Sequence, residues 1–583
     1  MTHNGALPAF DVRDIPFSHH GAWFGISPVV AEAVHADDLH LVSHQTGLHA
    51  VLRFTPADTF GARVEADVAA TPARLAWTVP DAAVELVYET DDTVLIRGGG
   101  TGLGLRISAA DPKLTPFSGP YFYRDPVDGS YIYTLYQTGR RYRITLLAGE
   151  PAEVFGLQAL GSAERGLFLP ADQPWEIAVE EFDSARPRYR RGAGFDHAVR
   201  ACAARFTAFA DAVAPWRSAR TPAAELAAYV VWSATVRPAG FLARPGVLMS
   251  KHWMDKVWSW DHCFNAIALA AGAPELAWSQ FQVPFDHQDE TGALPDSVTH
   301  SEVLYNYVKP PIHGWALGLL RDGLPRELTR AEVADVYGRL SSWTRFWLTM
   351  RRVPGQALPH YQHGNDSGWD NATTFDADRV VQTADLAAFL VLQLDRLAGL
   401  ADELGLAEES AEWRRHGSEV RAAMLEHLWR DGRFVPRGAT TGKTATSTSL
   451  LDLMAIVLGP DLPDDVRGKL VRDIEGHLTP HGLATEQPSS AHYEADGYWR
   501  GPIWAPSTVL IEDGLRRAGC TGLADEVSSR FRALCEKSGF AENFDALSGA
   551  GLRDRAYTWT ASGYLILAAA YESRRGQQGA AED

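Results

Sequence analysis

The sequence predicts two parts, an N-terminal antiparallel β-sandwich and a C-terminal domain built almost wholly of helices. Three observations predict it. Length is the first: 583 residues are more than one hydrophobic core ordinarily organises. The second is a change of period near residue 190, from apolar residues at alternate positions to apolar residues every three or four. The third is a set of 18 tryptophans, many of them in loops between helical stretches. Long loops on a rigid helical scaffold are where a binding site is expected.

The sandwich is expected over residues 1–190. Segments 84–88, 93–97, 131–136, 143–147 and 175–179 are short β-rich runs separated by Gly, Pro and Asp clusters, as in sandwich strands and turns. The glycine-rich stretch 98–104 lacks the Lys-Ser/Thr of a phosphate-binding loop and opens no helix, so it reads as a flexible strand connection. Residues 191–220 are expected to form a helical linker. The basic run before it (Arg186, Arg188, Arg190, Arg191) reads as solvated surface.

From 221 to 583 strands almost vanish. Thr383 is expected to cap a helix with Leu386, Leu390, Leu394 and Leu397 on one face. Other helices are expected over 331–350, 408–427, 466–474, 502–517, 524–537 and 560–571. With shorter ones they make roughly a dozen, and a dozen helices in paired succession close as a double ring, an (α/α)6 barrel. No internal repeat in the sequence proves that closure.

Composition narrows the function. A net charge of −19 argues against a nucleic-acid partner and suits an enzyme with a neutral substrate. Cys202, Cys263, Cys520 and Cys535 show no Cys-x-x-Cys spacing, so a zinc site or disulfide framework is not indicated, and reduced thiols fit a cytoplasm. The N-terminus lacks a basic region followed by an apolar run, and no stretch reaches the roughly 20 apolar residues that span a bilayer. A cytoplasmic protein without a membrane partner is expected.

The chemistry concentrates in three segments. Tyr498-Trp499-Arg500-Gly501-Pro502-Ile503-Trp504 packs two indoles, a phenol and a guanidinium into seven residues. A pyranose offers an apolar face to such rings and a rim of hydroxyls to a forked donor. Ser367-Gly368-Trp369-Asp370-Asn371 and Ala541-Glu542-Asn543-Phe544-Asp545 add two carboxylates, the pair that glycosidic cleavage requires. The indole before Asp370 would desolvate it and keep it protonated near neutrality. With 73 acidic residues in the chain, any single one is an ordinary surface acid by default; the shared aromatic context singles these out.

The helical half resembles glycoside hydrolase family 63 and its clan relatives, the trehalases of family 37. Residues 253–265, containing Trp260-Asp261 and Phe264, look like the family's Trp-Asp-x-x-Phe motif, and Lys309-Pro310-Pro311 looks like its Lys-Pro-Pro segment. Gly368-Trp369-Asp370 matches its Gly-Trp-Asp motif and Tyr498 to Pro502 its Tyr-Trp-Arg-Gly-Pro motif. Glu542 to Gly549 is similar to its Glu-Asn-Tyr-x-x-x-x-Gly motif, and Trp559-Thr560-Ala561 to its final Trp-Ser/Thr-Ala element. Two positions depart from the pattern: His313 stands where many relatives carry Gln, and Phe544 where many carry Tyr.

The resemblance implies an inverting, exo-acting α-glycosidase, most readily an α-glucosidase, acting on short soluble α-glucosides or glycosylated metabolites. Asp370 would be the general acid and Glu542 the general base, about 6.5–9.5 Å apart. Asp261, assisted by Arg500 and His313, would hold sugar hydroxyls, with Phe264 and Asn371 beside it. Trp260, Trp315, Trp369, Trp499, Trp504 and Trp559 would supply ring walls; Trp278, Trp343, Trp347, Trp413 and Trp429 read as core. No cofactor or catalytic metal is expected, a structural calcium stays open, and a monomer or homodimer is expected. The sandwich would contribute rim contacts rather than catalysis. The alternatives are a sugar epimerase on a related barrel, using His252, His262, His287, His300, His313 or His492, and a non-catalytic glycan-binding protein. A phosphorylase would need an anion site, for which Arg500 alone is thin support.

Overall fold

The computed structural model describes residues 7–29, 38–111, 113–115, 118–444 and 447–582. The N-terminal residues read above for a leader lie outside the described residues. Two compact units form, each gathered from separate stretches of chain: Met1–Asp211 with Ala228–Asp255 and Thr299–Glu302, and Ala212–Ala227 with Lys256–Val298 and Val303–Asp583.

The first unit is a pair of antiparallel sheets. One runs, in spatial order, Phe24–Ser27, Leu39–Ser43, His49–Ala57, Gly104–Ala109, Gly166–Leu169 and Glu153–Phe155. The other runs Pro120–Arg124, Tyr131–Leu135, Arg141–Ala148, Trp175–Phe182, Thr93–Gly100, Ala82–Thr90, Arg74–Val79 and Asp67–Thr71. Alternation builds the core: Val84, Leu86 and Tyr88 are buried, while Glu85 between them turns outward to Arg97 (2.8 Å). Leu52, Phe54, Leu105 and Ile107 of the first sheet join Trp77, Leu86, Ile96 and Ile177 of the second in one apolar cluster. Each of the five predicted β-rich runs falls on a strand. Gly98 to Gly100 end a strand and Gly104 begins the next; a Cβ at Gly98 would meet the Trp175 ring at 2.3 Å, so close packing requires glycine there. The basic run is tied down in part: Arg186 pairs with Asp92 (2.8 Å) and Glu180 (3.1 Å), and Arg191 with Glu176 (2.5 Å).

Twelve α-helices follow among the described residues. They are α1 (Phe195–Val213), α2 (Ala224–Ala234), α3 (Asp261–Leu269), α4 (Pro274–Gln282), α5 (His313–Gly323) and α6 (Arg330–Thr349), then α7 (Ala384–Leu404), α8 (Ala407–Leu428), α9 (Asp464–Glu475), α10 (Ala505–Arg517), α11 (Thr521–Ser538) and α12 (Thr558–Glu582). A 3-10 segment, Leu450–Asp461, lies between α8 and α9 and breaks at Gly459, where φ is 54°. Packing closes a ring. α3 contacts α5, α5 contacts α7, α7 contacts the 3-10 segment, that segment contacts α10, α10 contacts α12, and α12 returns to α3. α4, α6, α8, α9 and α11 pack outside it, which gives the inner and outer layers of an (α/α)6 barrel.

Local signals explain the helix ends unevenly. Thr383 takes the N-cap position of α7, but its hydroxyl makes no capping hydrogen bond. Thr329 and Glu332 instead form a complete capping box at the start of α6. Where α5 meets α7, a Cβ on Gly314 would lie 2.4 Å from the Gln393 backbone, so glycine lets the two inner helices touch.

Candidate active site

The loops that lead into α3, α5, α7, α10 and α12 of the inner ring carry the motifs. Asp261 is the first residue of α3, Lys309 shortly precedes α5, Asp370 precedes α7, Trp504 caps α10, and Glu542 lies in the loop before α12.

Glu542 is fixed through its backbone. Strand Asn543–Phe544 pairs with Gly551–Leu552, the Glu542 N–H donates to the Asp554 carbonyl (2.7 Å), and Trp559 Nε1 donates to the Glu542 carbonyl (3.4 Å). Its side chain is 1% exposed, and neither carboxylate oxygen has a hydrogen-bond partner. The Tyr498 phenol comes close enough to favour the carboxylate, though short of hydrogen-bond geometry. Burial and then the Asp554 charge push Glu542 up to about 7, while Arg553 opposes them.

Asp370 ends a tight loop. Gly368, at φ 74°, closes the 3-10 turn Gly364–Ser367, and a Cβ on it would meet the Trp260 indole at 2.5 Å. Glycine is needed on both counts. Asp366 staples this loop, accepting from the Val308 N–H (3.1 Å), the Gln362 N–H (2.8 Å) and Arg351 (2.7 Å). Burial raises the pKa of Asp370, with Lys309 opposing. Burial also pushes Asp261 up to about 8, and its Oδ2 has no partner.

The three acids share one neighbourhood. Tyr498 has its phenol pKa raised by burial and then by the charges of Glu542, Asp370 and Asp261. Tyr557 is influenced in the same way by Glu542 and Asp261. Lys309, almost wholly buried, pairs with Asp296 (3.1 Å), donates to the Asn365 carbonyl (3.0 Å) and feels Asp370 and Asp261. Buried carboxyls with raised pKa values around one phenol have the chemistry of an acid–base site.

The predicted ring walls divide. Trp499 is sandwiched, with Trp504 parallel at 4.0 Å (6°) on one face and Trp369 stacked at 4.5 Å on the other. Neither face is left for a sugar, so its expected role as a wall is corrected to that of a packing core. Trp260 and Trp559 meet edge to face at 5.7 Å, and Trp559 meets Trp504 likewise at 5.4 Å. Trp315 is placed elsewhere: its N–H donates to Asp513 (2.9 Å) in a cavity of about 590 Å³ along α5 and the C-terminal halves of α7 and α10. That cavity contains none of the three acids. Phe264 is fully buried between Trp260 and Trp315. Trp343, Trp347 and Trp413 are core; Trp278 and Trp429 are only half-buried.

Three polar expectations change as well. Asn371 donates to the Gly497 carbonyl (3.0 Å) and accepts from the Trp499 N–H (3.0 Å), so it joins two motif loops. Arg500 donates to the Asn371 carbonyl (2.7 Å) and pairs with Asp376 (2.5 Å), which commits it to the same junction rather than to a sugar hydroxyl. His313 is fully buried among His262, Phe281, Phe285 and Trp343. Phe544 packs against Phe531 at 6.3 Å, an apolar setting that suits the missing hydroxyl. Asp296, Arg553 and Tyr557 were not singled out in the sequence. Only the strand register opposite Asn543 could have pointed to Arg553.

Among the described residues, one group of potential metal ligands converges: His262, Cys263 and His313, with ligand atoms within 4.8 Å. Trp343 donates to His313 Nδ1 (3.2 Å), so in the neutral ring Nε2 carries the hydrogen and has no lone pair to offer. Burial also keeps the Cys263 thiol protonated. The trio fits packing better than metal binding. All four cysteines are free thiols, and among the described residues no helix is long and apolar enough to cross a membrane.

The model of the mannosylglycerate hydrolase MGH1-like glycoside hydrolase domain matches residues 254–560. A mannosylglycerate hydrolase of Thermus thermophilus is 34% identical over 394 residues, covering 52% of this chain and 92% of that protein. One of Rubrobacter radiotolerans is 26% identical over 419 residues (55% and 92%), and a glucosylglycerate hydrolase of Mycolicibacterium hassiacum 21% over 407 (53% and 91%). Two solved structures share the fold. A GH63 mannosylglycerate hydrolase of Thermus thermophilus in complex with glucose has a TM-score of 0.52 at 21% identity, covering 59% of this chain and 99% of that one. A bacterial glucoamylase complexed with acarbose has a TM-score of 0.67 at 9% identity, covering 98% and 96%.

Proposed function

The chain belongs to the mannosylglycerate hydrolase MGH1-like glycoside hydrolase family, and from that premise we propose that it cleaves a small glycosylated acid, a hexose α-linked to glycerate or a close analogue, with inversion. The observation that carries the reading is the convergence of Asp261, Asp370 and Glu542 on Tyr498, with both Glu542 oxygens unpartnered. In this reading Asp370 gives its proton to the glycosidic oxygen as the bond to the anomeric carbon breaks. Glu542 takes a proton from a water that attacks that carbon from the opposite face. Asp261, whose Oδ2 has no partner, bonds a hydroxyl of the sugar. Turnover ends with Asp370 ionised and Glu542 protonated, and solvent resets both.

The relatives are named for both mannosyl- and glucosylglycerate, so the proposal names glycerate as the aglycone and admits either hexose as the sugar. It replaces the narrower expectation of an α-glucosidase. Mannosylglycerate, glucosylglycerate, maltose and trehalose are compared for released hexose. The expected result is that a glycosylglycerate is turned over at least about tenfold more efficiently than either disaccharide, a margin of about 1.4 kcal/mol in the transition state. A preference for a disaccharide overturns the aglycone, and release from none of the four overturns the substrate class. Proton NMR in the first minutes should show the β-anomer; initial α-hexose overturns inversion.

A further inference from the structure

We propose that Arg553 is a positioning residue for the base carboxylate, holding the Tyr498 phenol beside Glu542 and presenting a positive charge to that side chain; this rests on reading Glu542 as the base. The argument begins with register. Asn543 pairs with Leu552 across the short ribbon, so the next positions outward are Glu542 and Arg553. From there the guanidinium lies over the Tyr498 ring at 4.9 Å, donates to Asn543 Oδ1 (3.0 Å) and to the Asp496 carbonyl (3.3 Å), and pairs with the Asp496 carboxylate (2.6 Å). A single side chain thus joins the ribbon carrying Glu542 to the motif loop carrying Tyr498.

Backbone geometry supports the same reading independently. Among the described non-glycine residues only five have positive φ, and Tyr498 (63°) and Arg553 (61°) are two of them. Their side chains face each other beside Glu542. Side chains avoid that conformation, and surrounding structure must hold it. The cation–π contact, the Asn543 hydrogen bond and the Asp496 pair are such holding contacts.

The charges facing Glu542 are Asp554, which disfavours its ionisation, and Arg553, which favours it; Tyr498 and Tyr557 are its phenolic neighbours. Asp496, with an exposed carboxylate, partly neutralises Arg553. Two variants therefore move the acidic limb of kcat/KM in opposite directions. Arg553→Met should shift it upward by about one pH unit, and Arg553→Lys should recover part of that shift because the charge returns without the fork. Asp496→Asn should shift it downward by roughly a few tenths of a unit, since an exposed charge is screened.

An Arg553→Met limb left in place overturns the proposal. If that variant does not fold, Asp496→Asn decides, and a limb that stays or moves upward overturns it. Glu542→Gln separates the two layers. Full turnover in that variant overturns the base reading and this proposal with it, whereas a dead Glu542→Gln beside an unmoved Arg553→Met limb overturns the Arg553 role alone.

Discussion

In the β unit Glu180, 2% exposed, meets Arg143 at 2.7 Å and Arg186 at 3.1 Å, whereas in the helical unit Glu542, 1% exposed, meets no donor on either oxygen. The contrast extends beyond one pair. Asp38 is held by Arg53 and by Arg63 (3.1 Å), and Glu181 accepts from Gln45 (2.9 Å) and Tyr142 (2.9 Å). Asp261 in the other unit keeps a bare Oδ2. Equal burial therefore has two meanings. A buried acid with its donors in place locks a fold, while one left bare keeps a lone pair available for a substrate.

The largest effect that would sharpen this comparison is loss of the two acids proposed to move protons. Asp370→Asn and Glu542→Gln should each lower turnover by about 10²–10⁴-fold while thermal unfolding stays close to wild type. Either variant keeping more than about a third of the rate breaks the assignment of that residue.

Glu180→Gln should do the reverse. It leaves Arg143 with only the Asp128 carboxylate (3.6 Å) and Arg186 with only that of Asp92 (2.8 Å), so stability should fall by about 3 kcal/mol in a denaturant titration, with kcat unchanged where the protein is folded. A variant as stable as wild type would erase the distinction.

Lys309→Met acts on a single proton. Lys309 favours the ionised form of Asp370 and burial opposes it, so removing the cation raises the pKa further. The acid must be protonated to work, and the alkaline limb of kcat should move upward by about one pH unit. A downward shift would contradict the sign.

The smallest effect concerns Asp452, buried in the first turn of the 3-10 segment, with Thr374 on Oδ1 (3.0 Å), nothing on Oδ2, and a pKa pushed by burial up to about 7. The folded protein binds this proton more tightly than the unfolded chain does. Its contribution is full at acidic pH below the unfolded value and is lost as pH rises through about 7. Asp452→Asn should therefore lose less stability between pH 5 and pH 8 than wild type, a difference of order 1 kcal/mol. A steeper loss would place the bare oxygen in a bond of its own.

Much of this was legible beforehand where the signal was local. Apolar alternation marked the strands, and amphipathic stripes marked α6, α8, α9 and α11, because each of those helices has a wet face. α7 and α10 of the inner ring were legible from apolar spacing although they are buried along most of their length. The inner 3-10 segment escaped for the opposite reason: residues 450–459 are all buried, so no stripe exists to read. Asp370 and Glu542 stood out by their aromatic context in sequence, and Asp261 through the resemblance to the family's Trp-Asp-x-x-Phe motif.

What those aromatics do was decided only in three dimensions. A Trp–Arg–Gly–Pro run looks the same whether its indole faces a sugar or is clasped between two others, as Trp499 is between Trp369 and Trp504. Arg500 and Asn371 looked like substrate contacts until each was found bonded to the other's loop. Arg553 was an ordinary surface cation until the ribbon placed it next to Leu552, the partner of Asn543, one position from Glu542. Which residues could do chemistry was readable from the chain alone, since composition and local period are properties of short stretches. Only the closed ring decided which of them remain unpartnered, because desolvation and hydrogen-bond satisfaction depend on neighbours that lie far apart along the chain.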